Sequence, residues 1–297
     1  MIIPKTLKKG DKVSIISTAR KITIQELIPS IKILQSWGLE VVFGENLFKE
    51  NNQFSGTKKQ RVEDLQNAIN DNSISAILCA RGGYGTVQII DDINFSNLKK
   101  NPKWIIGYSD VTVLHSHLHN FGIATLHASM PIDFVKNTEE SLNSLKNILF
   151  KGKNTIEYNS QKINNIGNVN SEIVGGNLSI LYSLIGSDSD INTNGKILFI
   201  EDLDEYLYHI DRMMINLKRN SKLENLAALI VGGMSDMNDN EISFGKSVIE
   251  IISECVAEYN YPVCFNFPVG HLDDNRTIIL GQQSELIISE KTISLKQ

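Results

Sequence analysis

Cysteine is scarce in this sequence: Cys79, Cys255 and Cys264 are an odd three without CxxC spacing. A disulfide framework or a cysteine-based zinc site is not expected, and all three read as packing residues. Six prolines and 20 glycines in 297 residues are too few for a collagenous or low-complexity chain. Basic blocks are missing too. With 29 Lys and Arg against 34 Asp and Glu the formal net charge is -5, so a nucleic-acid partner has no electrostatic support. No uninterrupted apolar run approaches the ~20 residues of a membrane span, and mean hydropathy is -0.12. The opening MIIPKTLKKGDKVSIIS carries its positive charges after a short apolar start, with no hydrophobic stretch behind them. That pattern predicts no secretory signal and a cytoplasmic protein.

What is present is a chain long enough for about two domains. In its first half, short β-branched or apolar runs at residues 12–18, 39–43, 74–80, 103–106 and 123–126 alternate with amphipathic stretches at 24–37, 58–70 and 110–120. This rhythm predicts a doubly wound, mostly parallel α/β sheet. Residues 151–171 are rich in Asn, Lys and Gly and read as a linker with one strand at most. The boundary is drawn accordingly: a first domain over 1–150, a linker over 151–170 and a second domain over 171–297. In the second, helices at 178–185, 206–219 and 244–258 alternate with strands at 196–200, 227–231 and 263–265, and three short β segments follow. A cleft between the halves is the natural place for a site.

The sharpest local signal is Gly107-Tyr-Ser-Asp110, where an apolar strand turns into a helix. Such a turn pushes the Ser109 hydroxyl over the sheet's carboxyl edge, and the first free helix N–H groups, from Asp110 on, face a developing oxyanion. The second glycine of G-x-S-x-G is absent. Spacing alone favours the plainer reading, in which Ser109 or Asp110 is a helix N-cap. Arg81-Gly-Gly-Tyr-Gly85 follows another apolar strand, and its glycines would let backbone approach a ligand. It is neither a P-loop nor a dinucleotide fingerprint.

A nucleophilic serine needs a base, and there are six histidines. His115 and His119 have i,i+4 spacing but no third ligand, and read as exposed helix residues. His127 follows a strand and could line the cleft; His209 reads as surface. His271, in the loop Val269-Gly-His271 after a strand, is the best candidate for a general base. Glu201 is the first polar residue after the strand at 196–200, positioned to orient an imidazole. Asp202, Asp204 and Glu205 crowd the same stretch and serve equally as an acidic start to the next helix.

Taken in order, these segments resemble the LD-carboxypeptidase family of serine peptidases, the S66 group that also includes microcin C immunity hydrolases. Gly10-Asp-Lys-Val, Gly175-Gly-Asn-Leu-Ser179, Phe199-Ile-Glu-Asp202 and Ile210-Asp-Arg-Met213 complete the match, which spans nearly the whole chain. The resemblance implies a flavodoxin-like N-terminal domain and a smaller, β-rich α/β C-terminal domain. It implies a triad of Ser109, Glu201 and His271, with an oxyanion hole from the backbone N–H groups of Asp110 and Gly83, Gly82 being the near alternative. Arg81, Gly82, Tyr84 and Asn177 become candidate substrate contacts, with Arg81 equally open to a structural ion pair. No metal and no cofactor are implied. The implied substrate is a muropeptide or related small peptide, cleaved at its L,D bond to release D-alanine in cell-wall recycling. The assembly state is left open, a homodimer included. One departure is Ala-Ser-Met after His127, where many relatives are expected to have Gly-Pro-Met. Three rivals are a peptidyl- or aminoacyl-nucleotide amide hydrolase, a non-catalytic binder of small ligands, and a metal hydrolase built on His115, His117 and His119.

Overall fold

The computed structural model describes residues 1–161 and 163–297; position 162, within the expected linker, lies outside the described residues. Strands β1 (Lys12–Ile16), β2 (Glu40–Phe43), β3 (Ile74–Cys79), β4 (Trp104–Gly107) and β5 (Thr125–His127) form a parallel sheet in the order β2-β1-β3-β4-β5. This is the flavodoxin-like order. β3 is almost wholly buried along ISAILC, as a strand covered on both faces should be. The covering helices are α1 (Ile24–Ser36), α2 (Lys58–Asn70), α3 (Ser96–Lys100), α4 (Thr112–Asn120) and α5 (Glu139–Lys151). Thr23 with Glu26, and Thr57 with Gln60, close capping boxes that start α1 and α2.

The second sheet has seven strands, among them β6 (Thr155–Asn159), β7 (Gly167–Asn177), β8 (Ile197–Leu203), β9 (Ala228–Ser235) and β10 (Val263–Cys264). β7 to β10 run parallel, flanked by α6 (Leu178–Leu184), α7 (Leu207–Arg219) and α8 (Val248–Val256). On the other side an antiparallel meander, β12 (Gln283–Ile288) and β13 (Thr292–Lys296), joins β7 to β6. The stretch expected as a linker therefore carries β6 and the start of β7. In β6 a single isoleucine is the inward position of a half-exposed strand: Ile156 is buried while Thr155 and Glu157 face out.

One short strand binds the halves together. β11 (Ile278–Leu280) comes from the C-terminal half yet pairs antiparallel with β5 in the first sheet. Because side chains alternate, Ile279 enters the N-terminal core while Ile278 and Leu280 enter the core under the second sheet. Three consecutive residues thus belong to two cores. Ile279→Ala should cost about 2–5 kcal/mol and still leave unfolding cooperative. In denaturant, fluorescence of Trp37 and Trp104, both in the first half, should fall at the same midpoint as far-UV circular dichroism of the whole chain. Separate midpoints would show that β11 does not couple the two cores.

Candidate active site

Ser109 sits one residue beyond Tyr108, in a 3-10 turn over Ser109–Val111 that joins β4 to α4. Its φ is 61°, a left-handed conformation that a serine adopts only under constraint. Neither Ser109 nor Asp110 caps the helix: the caps are Tyr108 and Val111, without a side-chain hydrogen bond. The capping reading is thus overturned, because the strained turn swings the hydroxyl away from the helix's N–H groups. The Asp110 carboxylate points elsewhere. Its Oδ2 accepts from the Thr86 N–H at 2.9 Å and the Thr86 hydroxyl at 2.6 Å. Burial pushes the Asp110 carboxyl up, against those donors.

This bond fastens the glycine loop to the elbow. The buried Arg61 guanidinium adds two more ties, donating to Thr18 O at 2.8 Å and Gly85 O at 3.0 Å. The loop lies against the serine so closely that a methyl group at Gly82 would stand 3.1 Å from Ser109 Cβ. Arg61 and Thr86 carried no signal in the sequence, since a lone arginine in an amphipathic helix looks like a solvated one.

Glu201 and His271 meet at the edge of the second sheet. Glu201 Oε2 accepts from His271 Nδ1 at 2.7 Å and from the His271 backbone N–H at 3.2 Å. Gly270 makes the approach feasible, since any Cβ there would lie 2.8 Å from Glu201 Oε2. The loop is held from behind by Gly270 N–H to Asn275 Oδ1 and Ser235 Oγ to His271 O. Glu201 is inside β8, not after it, and is wholly buried. Burial by itself would raise its carboxyl, but the imidazoles of His271 and His127 outweigh that and hold it at about 2. For His271 burial pulls downward, and the Glu201 charge and hydrogen bond reverse it, leaving the imidazole raised.

The serine and the imidazole come from different sheets. The Tyr108 ring, next to Ser109, packs with its centroid 4.8 Å from that of His271, and its hydroxyl donates to Asp133 Oδ2 at 3.0 Å. Among the described residues, Ser109 Oγ has no hydrogen bond to His271 Nε2; bonds of this kind often form only with substrate present. A cleft of about 400 Å³ opens here, lined by Tyr108, Asp133, Lys136, Ser235, Asp236 and His271.

Family models for the LD-carboxypeptidase N-terminal and C-terminal domains match residues 13–128 and 170–286. A probable murein peptide carboxypeptidase of Bacillus subtilis is 32% identical, covering 97% of this chain and 92% of that protein. The chain belongs to the LD-carboxypeptidase family. A murein tetrapeptide carboxypeptidase of Pseudomonas aeruginosa is 28% identical over 93% of this chain and 92% of its own. Among solved structures, the muramoyltetrapeptide carboxypeptidase of Oxalobacter formigenes superposes with a TM-score of 0.89 at 25% identity, covering 96% of this chain and 98% of that one. The microcin C7 self-immunity protein MccF in its wild-type apo state shares the fold, at a TM-score of 0.89 and 22% identity over 100% of this chain and 99% of that one.

Other residues of this LD-carboxypeptidase family member stand differently from expectation. Asn177, a candidate substrate contact, is engaged within the protein. It is 5% exposed, caps α6 through Ile180 N–H, and donates its amide to Asp202 Oδ1 at 2.8 Å. Asp202 starts no following helix either. It points to the opposite face of β8 from Glu201 and receives the Ser179 N–H at 2.9 Å, tying β8 to the start of α6. Burial and the neighbouring Glu201 charge raise its carboxyl to about 7. Arg81 donates to Lys21 O at 3.2 Å and stands 4.0 Å from Glu26, while Tyr84 is exposed.

His115 is 2% exposed, not a surface residue; its nitrogens pair with Thr125 Oγ1 and Gly107 O. His117 pairs with Ser189, and His119 with Glu172. The three histidines of the rival metal-hydrolase reading are each engaged by a different partner. No helix is long and apolar enough to cross a membrane, among the described residues.

A base must be neutral to act, so with the raised His271 imidazole as the base the acid limb of kcat/KM is expected above the ordinary histidine value of 6.5. Glu201→Gln removes the charge and keeps the burial, so that limb should move to lower pH. A pH–rate profile of both proteins checks this; an unmoved limb would detach Glu201 from His271.

Proposed function

We propose that the protein is a serine-type LD-carboxypeptidase that releases terminal D-alanine from muropeptide tetrapeptides, in a cytoplasmic cell-wall recycling step. The reading is supported by the strained, left-handed Ser109 elbow, whose neighbour Tyr108 packs against His271 of the Glu201–His271 pair. The names of the relatives support the substrate class.

In this mechanism His271 Nε2 takes the Ser109 hydroxyl proton as Oγ attacks the carbonyl of the L,D bond. The oxyanion is met by the backbone N–H groups of Asp110 and Gly83. The tetrahedral intermediate collapses, the C–N bond breaks, and His271 gives its proton to the departing amine of D-alanine. Water, deprotonated by His271, then attacks the Ser109 ester; the Oγ–C bond breaks, His271 returns that proton to Ser109 Oγ, and the tripeptide acid leaves. Glu201 remains ionised and balances the imidazolium that forms twice per cycle. The Asp110 side chain and Arg61 hold the glycine loop in register, so the second oxyanion donor depends on them. A peptidyl-nucleotide amide is the second substrate class to assay, because the fold is shared with MccF.

The test is incubation with a tetrapeptide ending in D-alanine, with products read by mass. Wild-type protein should release one D-alanine per peptide, and Ser109→Ala should lower kcat by about 10⁴–10⁶ with KM little changed. Glu201→Gln should lose about 10²–10⁴ in kcat. Asp202→Asn should lose mainly thermal stability. Near-wild-type turnover by Ser109→Ala would end the serine mechanism. Cleavage of the nucleotide amide alone would move the protein to the second class.

A further inference from the structure

Glu201 has two oxygens, and the pair with His271 uses only Oε2. Oε1 is buried without a hydrogen-bond partner among the described residues. Facing it at 3.9 Å is Nε2 of His127, a side chain with no exposure at all. Neither ring nitrogen of His127 has a partner among the described residues. Two buried, unpaired polar groups that face each other are costly unless they serve one another.

Among the described residues, the aromatic neighbours of His127 offer no other partner. Phe199 meets its ring edge-on at a centroid distance of 4.9 Å, and Tyr108 stands at 5.9 Å with its hydroxyl committed to Asp133. His115 is 6.2 Å away, with both nitrogens already used. The position of His127 in the sheet is equally specific. It is the register partner of Gly107 on β4, two residues before Ser109, and of Ile278 on β11. From the nucleophile's own sheet edge, His127 therefore reaches the carboxylate of the other sheet.

We infer that His127 is a positioning residue for the Glu201–His271 pair, its Nε2–H donating to Glu201 Oε1. A movement of about 1 Å from the present separation brings the two atoms to ordinary hydrogen-bond length. With Oε1 held from the first sheet, the carboxylate cannot rotate about its terminal torsion, and Oε2 stays aimed at His271 Nδ1. The same bond sets the spacing between the Glu201 strand and the Ser109 elbow. One side chain then aligns the two halves of the site. This inference rests on the serine-peptidase reading, and its test separates the two.

The experiment compares His127→Phe, which keeps the ring and loses the donor, with His127→Gln, which keeps an amide donor near the Nε2 position. Two readouts are taken: kcat and KM on the tetrapeptide, and the low-field proton resonance of His271 Nδ1–H. His127→Phe should lose about 10–100-fold in kcat at unchanged KM, and its resonance should broaden or move upfield. His127→Gln should recover most of both. Should His127→Phe not fold, His127→Asn supplies the contrast, since its shorter amide falls out of reach.

Wild-type-like kcat and resonance in a folded His127→Phe would overturn the inference. So would equal losses in the donor and non-donor variants, which would mark His127 as packing only. If the wild-type protein releases no D-alanine, the functional reading has failed, while the resonance contrast still decides the role of His127.

Discussion

A carboxylate with no access to water has to be compensated by its neighbours, and Glu201 is the point in this molecule where that requirement is most severe. Two donors from His271, the ring Nδ1–H and the backbone N–H, converge on one of its oxygens. Removing one partner of such a buried pair typically costs about 3–5 kcal/mol, because the other charge is left unpaired. The loop carrying His271 is thereby fixed on the Glu201 strand, and a glycine at position 270 is the condition for closing it that tightly. Among the described residues the imidazole's Nε2 has no hydrogen bond, and His271 lines the cleft. The imidazole is thus oriented by the fold itself.

The remainder of the architecture serves to bring this pair to a serine on another sheet. β11 enters the first sheet seven residues after His271, so the base loop is anchored at the edge next to β5. On the far side the glycine loop is drawn against the Ser109 elbow by Asp110, Thr86 and Arg61, all buried. Alternation along β8 divides labour between adjacent acids. Glu201 faces the other sheet with Phe199, whereas Asp202 faces the helices with Leu198 and Ile200 and holds the start of α6. Neighbours in sequence thus hold different elements, the His271 loop for one and the start of α6 for the other.

Much of this was readable from residue order. The period-2 and helical apolar patterns located most strands and helices of both sheets, and the ends of apolar runs pointed to Ser109, Glu201 and His271. The rest was not. Ser109 read as a helix cap because a residue's φ cannot be seen in its side chain, and only a left-handed turn turns the hydroxyl away. His115 read as exposed because polarity is a poor guide to burial where hydrogen-bond partners wait, here Gly107 and Thr125. β6 and the start of β7 read as linker because a strand with one half-covered face needs few apolar residues. α5 was missed although Thr138 caps it and Gly152 ends it. Pairings between distant segments, β11 with β5 above all, have no local signature.

The central claim is that Ser109 is made nucleophilic by a base that Glu201 holds in place. A serine-directed phosphonate tests it without any assumption about the natural substrate. After labelling, digestion and mass mapping, the account predicts a single adduct on Ser109, formed far more slowly in Glu201→Gln and His271→Ala proteins whose thermal melts show them folded. An adduct on another residue, or labelling of Ser109 at the wild-type rate in both variants, would contradict it.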